Sequence, residues 1–180
     1  MPSSNLERHV ITGPGRDFSA LGNEKEMILG KLTDDMKKVL AEHSLGYVAS
    51  IAADGSPSLS PKATFLSYGD EKIMFGEMRS PTTVKNIATN PMVEVNFVDI
   101  LARRGFRCKG LAIFHARGTA AFEDCLIEFA KVREASLLDM FNGIVVIDLK
   151  SASPLISPAY ETGATEESLR EAFKDIYAKL

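Results

Sequence analysis

The chain has 180 residues, enough for one domain that buries roughly two-thirds of its unfolded surface. Hydrophobic residues make up 45% and charged residues 25%, a globular balance that speaks against a disordered chain. The net charge of -3, with Lys and Arg spread along the sequence, speaks against general nucleic-acid binding.

No apolar run approaches the roughly 20 residues of a membrane-spanning helix, and the N-terminus lacks a basic segment followed by an apolar core. The expectation is a cytoplasmic single domain over residues 1–180, with no membrane and no nucleic-acid partner. Cys108 and Cys125 form no CxxC pair, which fits a reducing compartment. His9, His43 and His115 have no metal-ligand spacing, so no metal site is expected.

In chain order, residues 1–20 are rich in Ser, Gly and Pro and read as an extended arm. Thr33 can cap a helix whose first turn holds Asp34 and Asp35 and whose apolar stripe is Met36, Val39 and Leu40. Strand-like runs follow at 47–52 and 58–66, joined by the hairpin signal Asp54-Gly55. In the second run Leu59, Ala63 and Phe65 are expected on one face, and Ser58, Ser60, Lys62 and Thr64 on the other. A third strand at 72–76 precedes a helix at 81–89, which ends before Asn90-Pro91. Strands at 92–98 and 106–120 follow, then a helix at 123–138 and a core strand at 144–149. The Pro/Ser stretch SASPLISPAY leads to a terminal helix near Thr165, within a C-terminal segment 151–180. Six strands joined largely by hairpins argue for a mainly β (α+β) fold, a small antiparallel barrel with flanking helices.

Three stretches can carry chemistry. Ser80-Pro81-Thr82-Thr83 opens a helix, with Ser80 at the cap and Pro81 where its missing donor costs nothing. Thr82 and Thr83 then offer backbone N–H groups and hydroxyls at the positive helix end, which suits a phosphate; a merely well-capped helix is the alternative. The face Ser58, Ser60, Lys62, Thr64 reads either as solvated strand or as a hydrogen-bonding rim for a flat heteroaromatic ligand. Arg103, Arg104, Arg107 and Lys109 read either as a solvated basic edge or as a clamp on an anion. Cys108 reads as a core residue, and His115 has no triad partner nearby in sequence.

Taken together, GYVASIAADGSPSLSPKATF (46–65), EKIMFGEMRSPTTVKNIATNPMVEVNF (71–97) and RGFRCKGLAIF (104–114) resemble the pyridoxamine 5'-phosphate oxidase-related, FMN-binding split-barrel family. The resemblance implies a six-stranded antiparallel split β-barrel that forms a homodimer with FMN at the subunit interface. It implies that Ser60, Pro61, Lys62 and Ala63 line the flavin ring and that Phe75, Gly76 and Glu77 meet the cofactor. It further implies that Ser80, Thr82 and Thr83 hold the phosphate, that Lys85 and Asn86 lie one turn on, and that Arg104 and Lys109 reach the partner's flavin. The oxidase proper has Arg-Lys where this chain has Thr82-Thr83, a flavin-contacting Gln where it has Gly105, and a Trp-containing end where it has no Trp. The implied function is therefore that of an FMN-dependent oxidoreductase with another small-molecule substrate or electron donor, and with no catalytic residue identified. Lys62 and Glu77 are the nearest acid–base candidates. Haem held through His115, with His43 beside it, and a deazaflavin held in a groove of Arg103, Arg104 and Arg107 are the alternatives. A homodimer is also expected because Tyr47, Val48, Ile144 and Val146 cannot all face one small interior.

Overall fold

Residues 28–179 are described by a computed structural model. A two-residue strand β1 (Ile28–Leu29) leads to α1 (Asp34–Glu42), where the Thr33 hydroxyl accepts the Met36 N–H at 3.1 Å. The hairpin of β2 (Gly46–Ile51) and β3 (Pro57–Lys62) turns at Gly55, whose φ of 83° suits a residue without Cβ. Next come β4 (Leu66–Ser67), β5 (Lys72–Glu77), α2 (Pro81–Thr89), β6 (Met92–Asp99) and β7 (Arg104–Ala116). The chain continues through α3 (Ala120–Ala130), α4 (Ala135–Leu138), β8 (Gly143–Ile156), a 3-10 turn (Pro158–Thr162) and α5 (Glu166–Tyr177).

The strands form one antiparallel sheet in the order β3-β2-β6-β7-β8-β5-β4, with β1 on β8. The fold is mainly β with flanking helices. The six long strands are those the sequence marks, and the two-residue β1 and β4 add to them. The expected helix at 123–138 is instead α3 and α4, split at residues 131–134. The expected extended arm at 1–20 lies outside the described residues.

The largest difference is β8, which runs on through the Pro/Ser stretch to Ile156. Its second half pairs with β7, as in Phe106 opposite Pro154. Pro154 lies beyond β1's two residues, where the other edge of β8 pairs with no strand among the described residues, a place that tolerates a missing N–H.

Two apolar clusters explain the burial. Inside the curled sheet, Phe65, Phe75, Phe97 and Phe106 are each at most 1% exposed, with successive ring centroids of Phe75–Phe65–Phe97–Phe106 at 5.0, 4.9 and 4.8 Å. Burying each such ring contributes about 1.5–3 kcal/mol. Met36, Val39 and Leu40 of α1 and Ile87 of α2 belong to this cluster. On the other face of β5 and β8, Met74, Ile144 and Val146 pack with Phe122, Cys125, Phe129, Leu138 and Phe141 from the α3–α4 region. The expectation that Val48, Ile144 and Val146 belong to a face needing a partner is thereby corrected. Val48 is internal, α3 and α4 cover the other two, and only Tyr47 of that group is exposed.

The C-terminal helix is held differently. None of its residues is buried. Arg170 pairs with the buried Asp99, Glu166 meets Arg104 at 3.2 Å, and the Arg103 guanidinium lies 4.8 Å from the Phe173 ring. No described helix is long and apolar enough to cross a membrane.

Candidate functional site

The end of β3, the start of α2 and the end of β5 meet around an open cleft of about 530 Å³. Ser60, Pro61, Lys62, Ala63 and Thr64 form one side, Gly76, Met78, Arg79 and Ser80 the other, and Met140 reaches in from the α4–β8 connection. Its volume falls in the range typical of small-molecule sites.

The strand β3 carries its polar face toward this cleft. Ser58, Ser60 and Lys62 are half-buried, whereas Leu59 is 67% exposed. The expected grouping of Leu59 with Phe65 is therefore corrected. The strand ends at Lys62, and the irregular residues that follow bury Thr64 and Phe65 together. Lys62 Nζ donates to the Ser60 hydroxyl and lies 5.9 Å from the centroid of Phe75. Burial lowers the Lys62 ammonium below its ordinary pKa, and the neighbouring Glu77 carboxylate pulls against this.

Phe75 itself is in the core at 0% exposure. Gly76 lies against Phe141: a Cβ there would sit 2.2 Å from that ring. Glu77 is 5% exposed and points toward Ser80, accepting both its backbone N–H and its hydroxyl, the latter at 3.1 Å. This engagement has a consequence for α2. The Ser80 side chain makes no capping hydrogen bond, so the helix begins at Pro81 without the cap expected of Ser80. The first N–H groups of a helix have no partner within it, and here no side chain takes their place at the cap. At the helix start only the cap residue Ser80 lines this cleft; Thr82 is exposed, whereas Thr83 is 3% exposed.

The remaining residues singled out in the sequence lie elsewhere. Asn86 is buried and donates to the Ser50 hydroxyl at 3.0 Å, fastening α2 to β2. Lys85 faces a second cleft. Arg104 is held by both oxygens of Asp35, at 2.8 and 3.2 Å, and by Glu166, while Lys109 meets Glu94 at 3.4 Å on the outer face of the sheet. Neither lines the two clefts. Of the residues considered for a deazaflavin, Arg103 lies by Phe173, Arg104 by Asp35 and Arg107 by Ser153, and none of the three lines either cleft. His43 lies 3.2 Å from Asp99, whereas His115 sits at the far end of β7 opposite Ile144. The two are not side by side, and neither lines either of the two clefts. Burial pushes the Cys108 thiol up to about 12, as befits a core residue. No His, Cys, Asp and Glu cluster suited to a metal occurs among the described residues.

Met78 and Met140 were not legible beforehand, whereas Thr64 belongs to the strand face that the sequence offers as a ligand rim. Met140 is far away in sequence and arrives only because α4 packs on β5 and β8. Thr64 carried a signal, since it continues the Ser58-Ser60-Lys62 alternation.

Comparison with known proteins agrees with this architecture. The family model for pyridoxamine 5'-phosphate oxidase matches residues 32–137, more than half of the chain. Among solved structures, HupZ of Group A Streptococcus is 25% identical, with 70% of this chain and 95% of that one covered and a TM-score of 0.59. A candidate pyridoxamine 5'-phosphate oxidase of Lactobacillus delbrueckii is 20% identical, covering 69% and 94%, with a TM-score of 0.58. HutZ, the haem storage protein of Vibrio cholerae, is 15% identical, covering 70% and 94%, with a TM-score of 0.54. At these identities the last two likenesses concern the fold alone. No curated protein matches the sequence closely. With its matched segment spanning α1 to α4 and its cleft between β3 and the start of α2, the chain belongs to the pyridoxamine 5'-phosphate oxidase family.

Proposed function

We propose that the cleft between β3 and α2 holds FMN and that the protein is an FMN-dependent oxidoreductase of a small molecule, working as a homodimer. The six long strands are read as the family's split barrel. The observation that carries the reading is the uncapped start of α2 beside a half-buried lysine, both at one cleft. A helix start without a side-chain cap suits a phosphate, because the N–H groups and the helix dipole favour an anion there. Thr82 adds an exposed hydroxyl, and Lys62 and Arg79 supply the charge that the missing Arg-Lys pair would have given.

The edge Ser60–Ala63 supplies backbone and hydroxyl groups for a flat heteroaromatic ring. Bound flavin would itself supply the electron or hydride transfer, and the chain would bind it, orient it and set its electrostatic surroundings. Lys62 would place a cation near the ring. Glu77, turned into the start of α2, would lie near the phosphate and not under the ring, and Lys62 and Arg79 would have to offset its charge there.

The dimer is supported by exposed apolar side chains on adjoining strands: Tyr47 and Ile51 of β2, Leu59 of β3, and Met92 and Val98 of β6. Apolar surface gathered in this way is normally covered.

The test is a fluorescence titration of flavin-free protein with FMN and, separately, with riboflavin, which lacks the phosphate. The reading expects saturable binding in which FMN is at least about tenfold tighter, the worth of one good charged hydrogen bond. Equal affinities, or no saturation with FMN, would overturn it.

A further inference from the structure

A second cleft, of about 490 Å³, lies on the far side of the β5–α2 turn. Met78, Pro81, Val84 and Phe114 give it an apolar lining, and Arg79 and Lys85 stand at it as cations. Met78 and Arg79 also line the first cleft, so the two share a wall.

The polar groups at this cleft differ in how far they are already engaged. The Asn142 amide donates to the Met78 carbonyl. Glu77 is the one carboxylate in the lining; it is buried, takes two hydrogen bonds from Ser80, and exerts its attraction on Lys62. Arg79 and Lys85 make no ion pair among the described residues, and both stand at the same cleft. An apolar basin with two unengaged cations has a definite complement: an apolar body carrying one anionic group. A free dianionic phosphate fits less well, because most of the lining offers it no donor.

We propose that this second cleft binds an apolar, aromatic or aliphatic molecule bearing a single carboxylate or sulfonate. Arg79 and Lys85 hold its anionic end, and Met78, Val84 and Phe114 hold its body. The two readings share Arg79, so the test is run without flavin and does not depend on the cofactor assigned to the first cleft. The ligand lies against the wall shared with that cleft, where a reaction partner of a bound redox cofactor would have to sit.

The test uses two fluorescent probes on the full chain without flavin: anilinonaphthalene sulfonate, an apolar anion, and phenylnaphthylamine, its uncharged relative. The wild type is expected to bind the anion at one site per chain and more tightly than the uncharged probe. Lys85→Ala with Arg79→Ala should weaken the anion about tenfold and the uncharged probe much less. Val84→Trp, which fills the basin, should weaken both. Thermal unfolding establishes that each variant is folded, and the exposed positions of Arg79 and Lys85 make the double variant safe in this respect. Unchanged anion affinity in the folded double variant would overturn the proposal. So would a loss of binding in Leu59→Asp, which would place the probe on the sheet face instead. Failure of FMN to bind would not alter either outcome, so the two readings fail separately.

Discussion

The Thr64 hydroxyl bridges both backbone polar groups of Gly76: it accepts the Gly76 N–H at 3.0 Å and donates to the Gly76 carbonyl at 3.1 Å. Thr64 follows β3 and Gly76 lies in β5, strands that do not pair with each other. One buried hydroxyl therefore ties the two walls of the first cleft together.

Replacing Thr64 with Val keeps the shape and leaves both Gly76 groups without that partner. The expected loss is about 1–3 kcal/mol, read as a lower midpoint in urea at unchanged slope. Gly76→Ala should cost at least as much, because its Cβ would enter the Phe141 ring. A Thr64→Val midpoint equal to that of the wild type would show that the bridge contributes nothing.

Asp99 anchors the C-terminal helix and gives a dependence on pH. Its side chain is 2% exposed and accepts the N–H groups of Leu101 and Ala102, each at 3.0 Å, with Arg170 and His43 beside it. Burial pushes the carboxyl up, but the Ala102 N–H, His43, Arg170 and the Leu101 N–H outweigh it, and the net result lies below the ordinary value of 3.8. A carboxyl depressed in the native state stabilises fully above its unfolded value. That stability is lost as the pH falls from 3.8 through the lower native value. Asp99→Asn should flatten this acid limb and cost about 1–3 kcal/mol at neutral pH, since it removes the charged acceptor of the Leu101 and Ala102 N–H groups while Arg170 keeps Glu166. Urea midpoints measured across the acid range check both expectations, and an unchanged acid slope in Asp99→Asn would refute them.

The proposed dimer has a direct readout. Sedimentation equilibrium should give about twice the chain mass of 19.6 kDa. Leu59→Asp places a charge on a side chain that is 67% exposed in one chain, so it should shift the protein to monomer with little loss of chain stability. A monomeric wild type at micromolar concentration would remove the interface.

Gly105 separates this chain from the oxidase proper, and the fold explains the glycine. A Cβ at this position would lie 1.9 Å from the Phe97 carbonyl oxygen, because β6 and β7 approach closely there. Restoring a glutamine by Gly105→Gln should therefore destabilise the protein by about 1–3 kcal/mol or more instead of improving flavin binding. A stable variant with tighter FMN binding would contradict this.

Much of the fold was legible because its signals were local. Thr33 and Thr165 cap helices where their positions and the acids after them indicated, and Asp54-Gly55 makes its hairpin. The course of β8 through SASPLI was not legible, because a Pro/Ser stretch reads as a linker until a long β7 offers it a pairing edge. The site divides in the same way. Ser60–Ala63, Gly76 and Ser80 line one cleft, a grouping that the family resemblance suggested and that spacing alone did not. Asn86 and Arg104 looked equally available in sequence. Their partners, Ser50 and Asp35, are 36 and 69 positions away, and only tertiary packing reveals them.

The central claim is that FMN occupies the cleft between β3 and α2. The most direct test is the visible absorbance spectrum of protein mixed with FMN and then desalted, recorded for the wild type and for Ala63→Trp, which blocks the cleft from an exposed position. The account expects the two flavin bands to remain with the wild type and to be lost from the folded variant. Flavin bands retained equally by both proteins, or by neither, would contradict it.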